Sequence, residues 1–267
     1  MLKEAMHFGF RIACLIPEEF LRSNSTGNCF RCRNPKGDHM KVPWLPKNTI
    51  AERASSLIKY FQSLAGYEIK PPIPVEEIIE RALGLQLLYD DLEEKLGSRD
   101  ILGAIYVHAK LICINERMFE HSSEGRLVFT CGHEAGHWVL HRKYAAVGSQ
   151  KDGQSASVVC HLKDAGKAIE WQADYFASCL LMPEKEIRKA FHEVCSLEPI
   201  VVRNVRSDSV QGTRCAEPFV EQWPYIAAAM CEAGGFSNVS RQAMVIRLQD
   251  LGLLVNRTRK RMDWQSL

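Results

Sequence analysis

The sequence predicts a mixed α+β fold, a small sheet with packed helices, followed by a small C-terminal helical module. Three observations carry this. The chain has 267 residues, 46% hydrophobic and 25% charged, which is enough to bury a core in one or two domains. Three short β-type runs, at 85–89, 101–107 and 111–114, lie among segments with helical spacing. Beyond residue 224 the pattern becomes helix, glycine turn, helix.

In chain order, residues 1–47 read as an N-terminal extension. It holds a short apolar start, the polar run Ser23 to Asn28, a Cys29-Phe-Arg-Cys32 pair, a second polar run through Asp38, and Pro43 and Pro46. From 48 to 66, Ile50, Ala54, Leu57, Ile58, Phe61 and Leu64 fall on one helical stripe. Pro71-Pro-Ile-Pro74 breaks the chain, and a short helix from Val75 to Leu83 ends at Gly84. The strand runs 101–107 and 111–114 flank a polar His108-Ala-Lys110, the pattern of a hairpin or meander. A long helix is predicted over about 125–141, with Leu127, Val128, Val139 and Leu140 on an amphipathic face. A polar loop follows at 148–157, and a second helix runs from about Lys167 to Leu181. Residues 191–223 have no clear period and read as a variable insertion or long loop.

Lys plus Arg number 34 against 32 Asp plus Glu, so no global charge points to a polyanion partner. No run reaches the ~18–20 apolar residues that span a bilayer. Glu4, His7 and Arg11 interrupt the apolar N-terminus, so the sequence predicts no signal peptide and a cytoplasmic protein. The ten cysteines are scattered, which fits reduced, mostly buried thiols better than a disulfide framework.

The chemistry concentrates in His133-Glu134-Ala135-Gly136-His137. Four helical residues turn through about 400°, so His133 and His137 stand one turn apart on one face. Two imidazoles so placed can bind one Zn²⁺. Glu134 adjoins the first ligand and can reach a water beside the ion, the position of a general base in metal-assisted hydrolysis.

A hydrolytic zinc site needs a third protein ligand and an open position. His141 is one more turn along and about 40° further round, too far to close a tetrahedron, and is expected as a helix-end residue favoured by the dipole. Glu170, in Glu170-Trp-Gln-Ala-Asp174, is the better candidate. Asp174, one turn on, can accept the free ring N–H of a zinc histidine and fix its tautomer. Asp174 as ligand in place of Glu170 is the alternative, and a solvated acidic pair is the bland one.

These segments, together with Gly103-Ala-Ile-Tyr106, Ile112-Cys-Ile-Asn115, Arg126-Leu-Val-Phe-Thr130, the extension to Trp138-Val-Leu-His141, and Tyr175-Phe-Ala-Ser178-Cys-Leu-Leu-Met-Pro183, resemble the ImmA/IrrE family of metallopeptidases. The resemblance covers about residues 48–190. It implies a zincin-like metallopeptidase domain, a small sheet plus active-site helices, with His133, His137 and Glu170 as zinc ligands and Glu134 as catalytic base. It further implies site-specific endopeptidases that cleave DNA-binding repressors in stress responses and mobile elements. The sequence departs from the family in its cysteine-bearing start and in the long stretch before the C-terminal helices. Tyr106, His108 and Tyr175, near the matched motifs, are candidates for oxyanion stabilisation.

Residues 224–267 resemble a helix-turn-helix unit, as follows the peptidase region in this family. Ser240 is a candidate N-cap. Val239, Ala243, Ile246, Leu248 and Leu251 are expected to form an apolar face, with Arg241, Gln242 and Arg247 on the polar one. A packing module without DNA contact is favoured over a DNA reader, because few basic residues are available for phosphates. Cys29, Cys32 and His39, with Cys14 as a fourth ligand, could form a second zinc site, but no second C-x-x-C appears. Two functions therefore stand: a zinc endopeptidase acting on a helix-turn-helix repressor, and a non-catalytic zinc-containing regulator that binds a repressor or DNA through its C-terminal helices.

Overall fold

The computed structural model describes residues 29–33, 39–97, 100–148, 158–161, 167–195, 198–202 and 222–257. A hairpin of β1 (Cys29–Arg33) and β2 (His39–Pro43) precedes α1 (Lys47–Ala65). Then come α2 (Val75–Glu77), which continues as a π-helical turn (Ile78–Ala82), β3 (Gln86–Asp90), α3 (Leu92–Leu96), β4 (Ile101–Tyr106), β5 (Leu111–Asn115) and α4 (Met118–His121). The long α5 (Glu124–Gly148), β6 (Val158–His161), α6 (Lys167–Leu181) and α7 (Glu184–Val194) follow. The chain continues through β7 (Ile200–Val202), α8 (Trp223–Gly234), α9 (Arg241–Asp250) and β8 (Leu254–Asn256).

The fold is mixed α+β, and the predicted helices and strands are present, within a few residues of their expected ends except at the C-terminal end of α5. Four strands form one sheet in the order β3-β5-β4-β6. β4 and β5 pair antiparallel as expected of the 101–114 hairpin, while β3 joins β5 in parallel. β5 is central, and its Ile112, Cys113 and Ile114 are all buried. β6 adds an edge strand antiparallel to β4 that the sequence did not reveal, since four residues are too few for a period to show.

One face of the sheet packs on α1, α5 and α6 through Ile50, Phe61, Ile105, Ile112, Cys131, Phe176 and Leu180. The other face carries α3, with Leu92 against Ile101, Ala104 and Cys113. The α1 stripe buries Ile50, Ala54, Leu57, Ile58 and Phe61 as its spacing requires, and leaves Leu64 exposed. Gly66, at φ +79, caps the helix by donating its N–H to the Gln62 carbonyl, a left-handed geometry that glycine adopts without a β-carbon penalty.

The long helix departs from expectation. Residues 130–141 of α5 are buried except for His133 and Val139, so the helix is enclosed between sheet and α6 rather than amphipathic. It also runs past His141 to Gly148. A second apolar cluster joins α7, α8 and α9 through Ile187, Phe191, Trp223, Met230, Phe236, Met244 and Leu248. Asn238 ties it to the first cluster by donating Nδ2–H to the Ile73 carbonyl (3.2 Å), and Lys47 pairs with Asp250. No described helix is long and apolar enough to cross a membrane.

Candidate metal centre

Small residues set the distance between the two motif helices. A β-carbon on Gly136 would lie 3.1 Å from the Ala173 carbonyl oxygen and 3.2 Å from its Cα, and one on Gly132 would lie 3.3 Å from the Ala177 β-carbon. Gly132 and Gly136 on α5 thus face Ala173 and Ala177 on α6, each pair one turn apart. This close approach brings Glu170 and Asp174 on α6 against His133 and His137 on α5.

His133, His137 and Glu170 converge. His133 Nε2 lies 3.0 Å from His137 Nε2 and 3.1 Å from Glu170 Oε2, and His137 Nε2 lies 3.3 Å from Glu170 Oε1. An ion bound at about 2.0–2.1 Å in tetrahedral geometry places its donors about 3.3 Å apart. The donor set of two imidazole nitrogens and a carboxylate therefore fits a divalent metal in both chemistry and spacing. Among the described residues, this is the cluster of three or more His, Cys, Asp or Glu side chains that could hold an ion.

The hydrogen-bond partners orient the rings. His133 Nδ1 lies 2.8 Å from Asp174 Oδ1. A carboxylate only accepts, so Nδ1 carries the hydrogen and Nε2 is directed at the cluster. Burial would lower the His133 pKa, but its hydrogen bonds to Asp174 and Glu170 and the charges of Glu134 and Glu170 outweigh it and raise the pKa to about 10. Without an ion, His133 is thus protonated and bridges the two carboxylates. Burial would raise the Glu170 pKa, but hydrogen bonds from His133 and His137 and their charges hold it well below the usual carboxylate range. Glu170 therefore presents a charged oxygen.

Glu134 is fully buried, pointing from α5 toward the sheet. Its carboxyl lies over Gly103 of β4, where a β-carbon would stand 2.6 Å from Cδ and 2.8 Å from Cγ. Gly103 is a site residue that its sequence context did not reveal. The available signal was a glycine inside a strand, which often marks close approach by another group.

Of the expected residues, His133, Glu134, His137, Glu170 and Asp174 are brought together. His141 is placed differently from expectation. It is an interior residue of α5, fully buried, with Nδ1 3.0 Å from His137 Nδ1 and Nε2 3.4 Å from Gln172 Oε1. Burial first, and the neighbouring His137 second, push its pKa well below the ordinary value, so it is neutral rather than a cation at a helix end.

The three oxyanion candidates do not reach the cluster. Tyr106 packs on the α3 side of the sheet, opposite Glu134, because strand residues alternate faces. His108 is in an exposed part of the β4–β5 turn. The Tyr175 ring stacks on Trp171 at 5.4 Å, and its hydroxyl is bonded to Asp250.

The C-terminal helices correct a second expectation. Ser240 caps α9 as predicted, accepting from the Ala243 N–H at 3.1 Å. However, Ile246 is 54% exposed, while Arg247 is 2% exposed and donates Nε–H to the Met182 carbonyl and Nη1–H to Asp250. The helix is rotated relative to the expected apolar face because Arg247 satisfies an interior carbonyl, which periodicity cannot show. Cys29, Cys32 and His39 lie in β1 and β2, with Cys32 paired to Met40. Their side chains, like Cys14 and residues 149–157 of the loop predicted at 148–157, lie outside the described residues, while Gly148 is the last residue of α5. Cys113, Cys131 and Cys179 are buried free thiols, as expected, and burial raises the pKa of each.

Comparison with known proteins accords with this geometry. A comparison with curated proteins gives no match. Residues 81–198 match the peptidase M78 family, described as the IrrE N-terminal-like domain. The matched span takes in the four-stranded sheet, both motif helices and all five clustered side chains. Over residues 81–198, this chain carries the metallopeptidase-type, IrrE N-terminal-like domain of the ImmA/IrrE family.

Proposed function

We propose that the protein is a zinc-dependent, site-specific endopeptidase that cuts a helix-turn-helix repressor in the cytoplasm, in a stress response or on a mobile element. The observation that carries this is the convergence of His133, His137 and Glu170 on one point, with the buried carboxylate of Glu134 on the same helix. His133, His137 and Glu170 would hold the ion and leave a position for substrate. A zinc ion there supplies Lewis acidity, polarising a carbonyl and acidifying water.

The chain's own groups do the rest. Glu134 accepts a proton from the attacking water and delivers it to the departing amide nitrogen. The peptide C–N bond breaks, and the products are a new carboxyl terminus and a new amino terminus. Asp174 holds His133 with Nε2 toward the cluster. The repressor as substrate rests on the family resemblance, and the narrow target that it implies means generic substrates such as casein are expected to survive.

The reading of a non-catalytic regulator gains nothing from the C-terminal helices, where Arg247 is buried and engaged within the protein. Co-expression with a helix-turn-helix repressor, chosen as one found encoded beside this gene, tests the proposal. A shortened repressor band with the wild-type chain supports it. Relief of repression with the repressor intact, by both the wild-type and Glu134→Gln chains, contradicts it.

A further inference from the structure

His141 and Gln172 occupy no place in the mechanism above, yet both are fully buried beside it. Their hydrogen bonds form a line from the metal cluster to the backbone. His137 Nδ1 meets His141 Nδ1 at 3.0 Å, His141 Nε2 meets Gln172 Oε1 at 3.4 Å, and Gln172 Nε2 meets the Pro43 carbonyl oxygen at 3.4 Å.

The direction of every bond follows from the far end. A carbonyl oxygen only accepts, so the Gln172 NH₂ must face Pro43 and its Oε1 must face His141. That oxygen only accepts as well, so the His141 hydrogen is on Nε2. His141 Nδ1 is then bare and accepts from His137 Nδ1–H. His137 thus carries hydrogen on Nδ1, which leaves Nε2, the atom that faces His133 and Glu170, as the one nitrogen that can bind an ion. The far end is itself fixed, because Trp44, next to Pro43, stacks on Trp171, next to Gln172, at 4.7 Å and 14° between planes.

We propose that His141 and Gln172 are positioning residues that fix the tautomer of His137 through a one-way hydrogen-bond chain ending on the Pro43 carbonyl. This rests on the metal-site reading above and assigns a task to the third histidine of His133-x-x-x-His137-x-x-x-His141. His133 and His137 are thus held by different devices, an exposed carboxylate for one and a buried neutral chain for the other.

The first test is the tautomeric state of the wild-type, metal-free full chain at neutral pH, read from long-range ¹H–¹⁵N couplings of the histidine rings. The proposal expects His137 with hydrogen on Nδ1 and His141 with hydrogen on Nε2. Hydrogen on His137 Nε2 with bare Nδ1, or hydrogen on His141 Nδ1, overturns it whether or not the protein proves to be a peptidase.

The second test is zinc affinity by competition with a chromogenic chelator. His141→Leu fills the space without an acceptor and is expected to weaken zinc by about 10–100-fold. His141→Asn places an amide oxygen where Nδ1 stood and is expected to recover most of that loss. Gln172→Leu, which touches no proposed ligand, should weaken zinc on the order of 10-fold. Wild-type affinity in both Leu variants overturns the proposal. If His141→Leu does not fold, the tautomer measurement on the wild-type chain decides. A wild-type chain that shows the expected tautomers but binds no zinc refutes the metal-site reading and leaves the chain's direction intact.

Discussion

Gly103 and Glu134 exclude one another's growth. Any β-carbon on the strand residue would stand 2.6 Å from the carboxyl carbon of the helix residue. The carboxylate is buried on that surface, so its position is set by the backbone of β4 as much as by its own helix.

Gly103→Ala should therefore displace Glu134 and leave the metal cluster in place. The expected result is a loss of at least about 10-fold in cleavage with zinc affinity close to wild type. Overpacking should also cost about 1–3 kcal/mol of stability in thermal or urea denaturation. Weakened zinc with unaltered cleavage at saturating zinc would show that Gly103 acts elsewhere.

Gly136→Ala addresses a different contact. Its new methyl would meet the Ala173 backbone at 3.1–3.2 Å, and backbone cannot swing away as a side chain can. The helices must separate, which moves Glu170 from the two histidines. Lower zinc affinity together with about 1–3 kcal/mol of destabilisation is expected. Unchanged zinc affinity would mean that helix spacing does not set the ligand geometry.

Metal uptake should release a proton. His133, raised to about 10, is protonated in the metal-free protein at neutral pH, and an ion must displace the hydrogen on Nε2. Affinity should therefore rise with pH from neutrality toward about 10. The stability of the metal-free protein should move the other way. A raised pKa gives stabilisation that is full below the ordinary histidine value of about 6.5 and lost as pH rises through about 10. Calorimetric titration in two buffers of different ionisation enthalpy counts the proton, and zero release contradicts the assignment.

Arg247→Ala should behave as a core change, with the loss of two charged hydrogen bonds costing roughly 1.5–3 kcal/mol each. The exposed Arg241→Ala should stay within about 0.5 kcal/mol of wild type. Thermal denaturation compares them. An Arg247→Ala chain as stable as wild type would remove the interior role assigned to that residue.

The sequence made the site legible where its chemistry is periodic. His133 and His137, and Glu170 and Asp174, are each four residues apart on long helices, and that spacing alone puts each pair on one face. What joins the two helices was hidden, because Gly132, Gly136, Ala173 and Ala177 matter through the side chains they lack. Gly103 was hidden for the same reason. His141 and Gln172 escaped because their partners, His137 and the distant Pro43 carbonyl, are tertiary neighbours. The inversion of Ile246 and Arg247 has one cause, a buried carbonyl at Met182 that only the folded chain presents. The strands of β6 and β8 are four and three residues long, and they form by pairing with β4 and β7 rather than by local preference.

The most direct test of the central claim is the intact mass of a helix-turn-helix repressor, chosen as one found encoded beside this gene, after incubation with purified, zinc-loaded protein. The account predicts two fragments whose masses sum to the repressor plus one water. It also predicts loss of both fragments, by about 10²–10⁴-fold or more in rate, with a Glu134→Gln chain that still binds zinc. An intact repressor with the wild-type chain, or equal cleavage by Glu134→Gln, would contradict it.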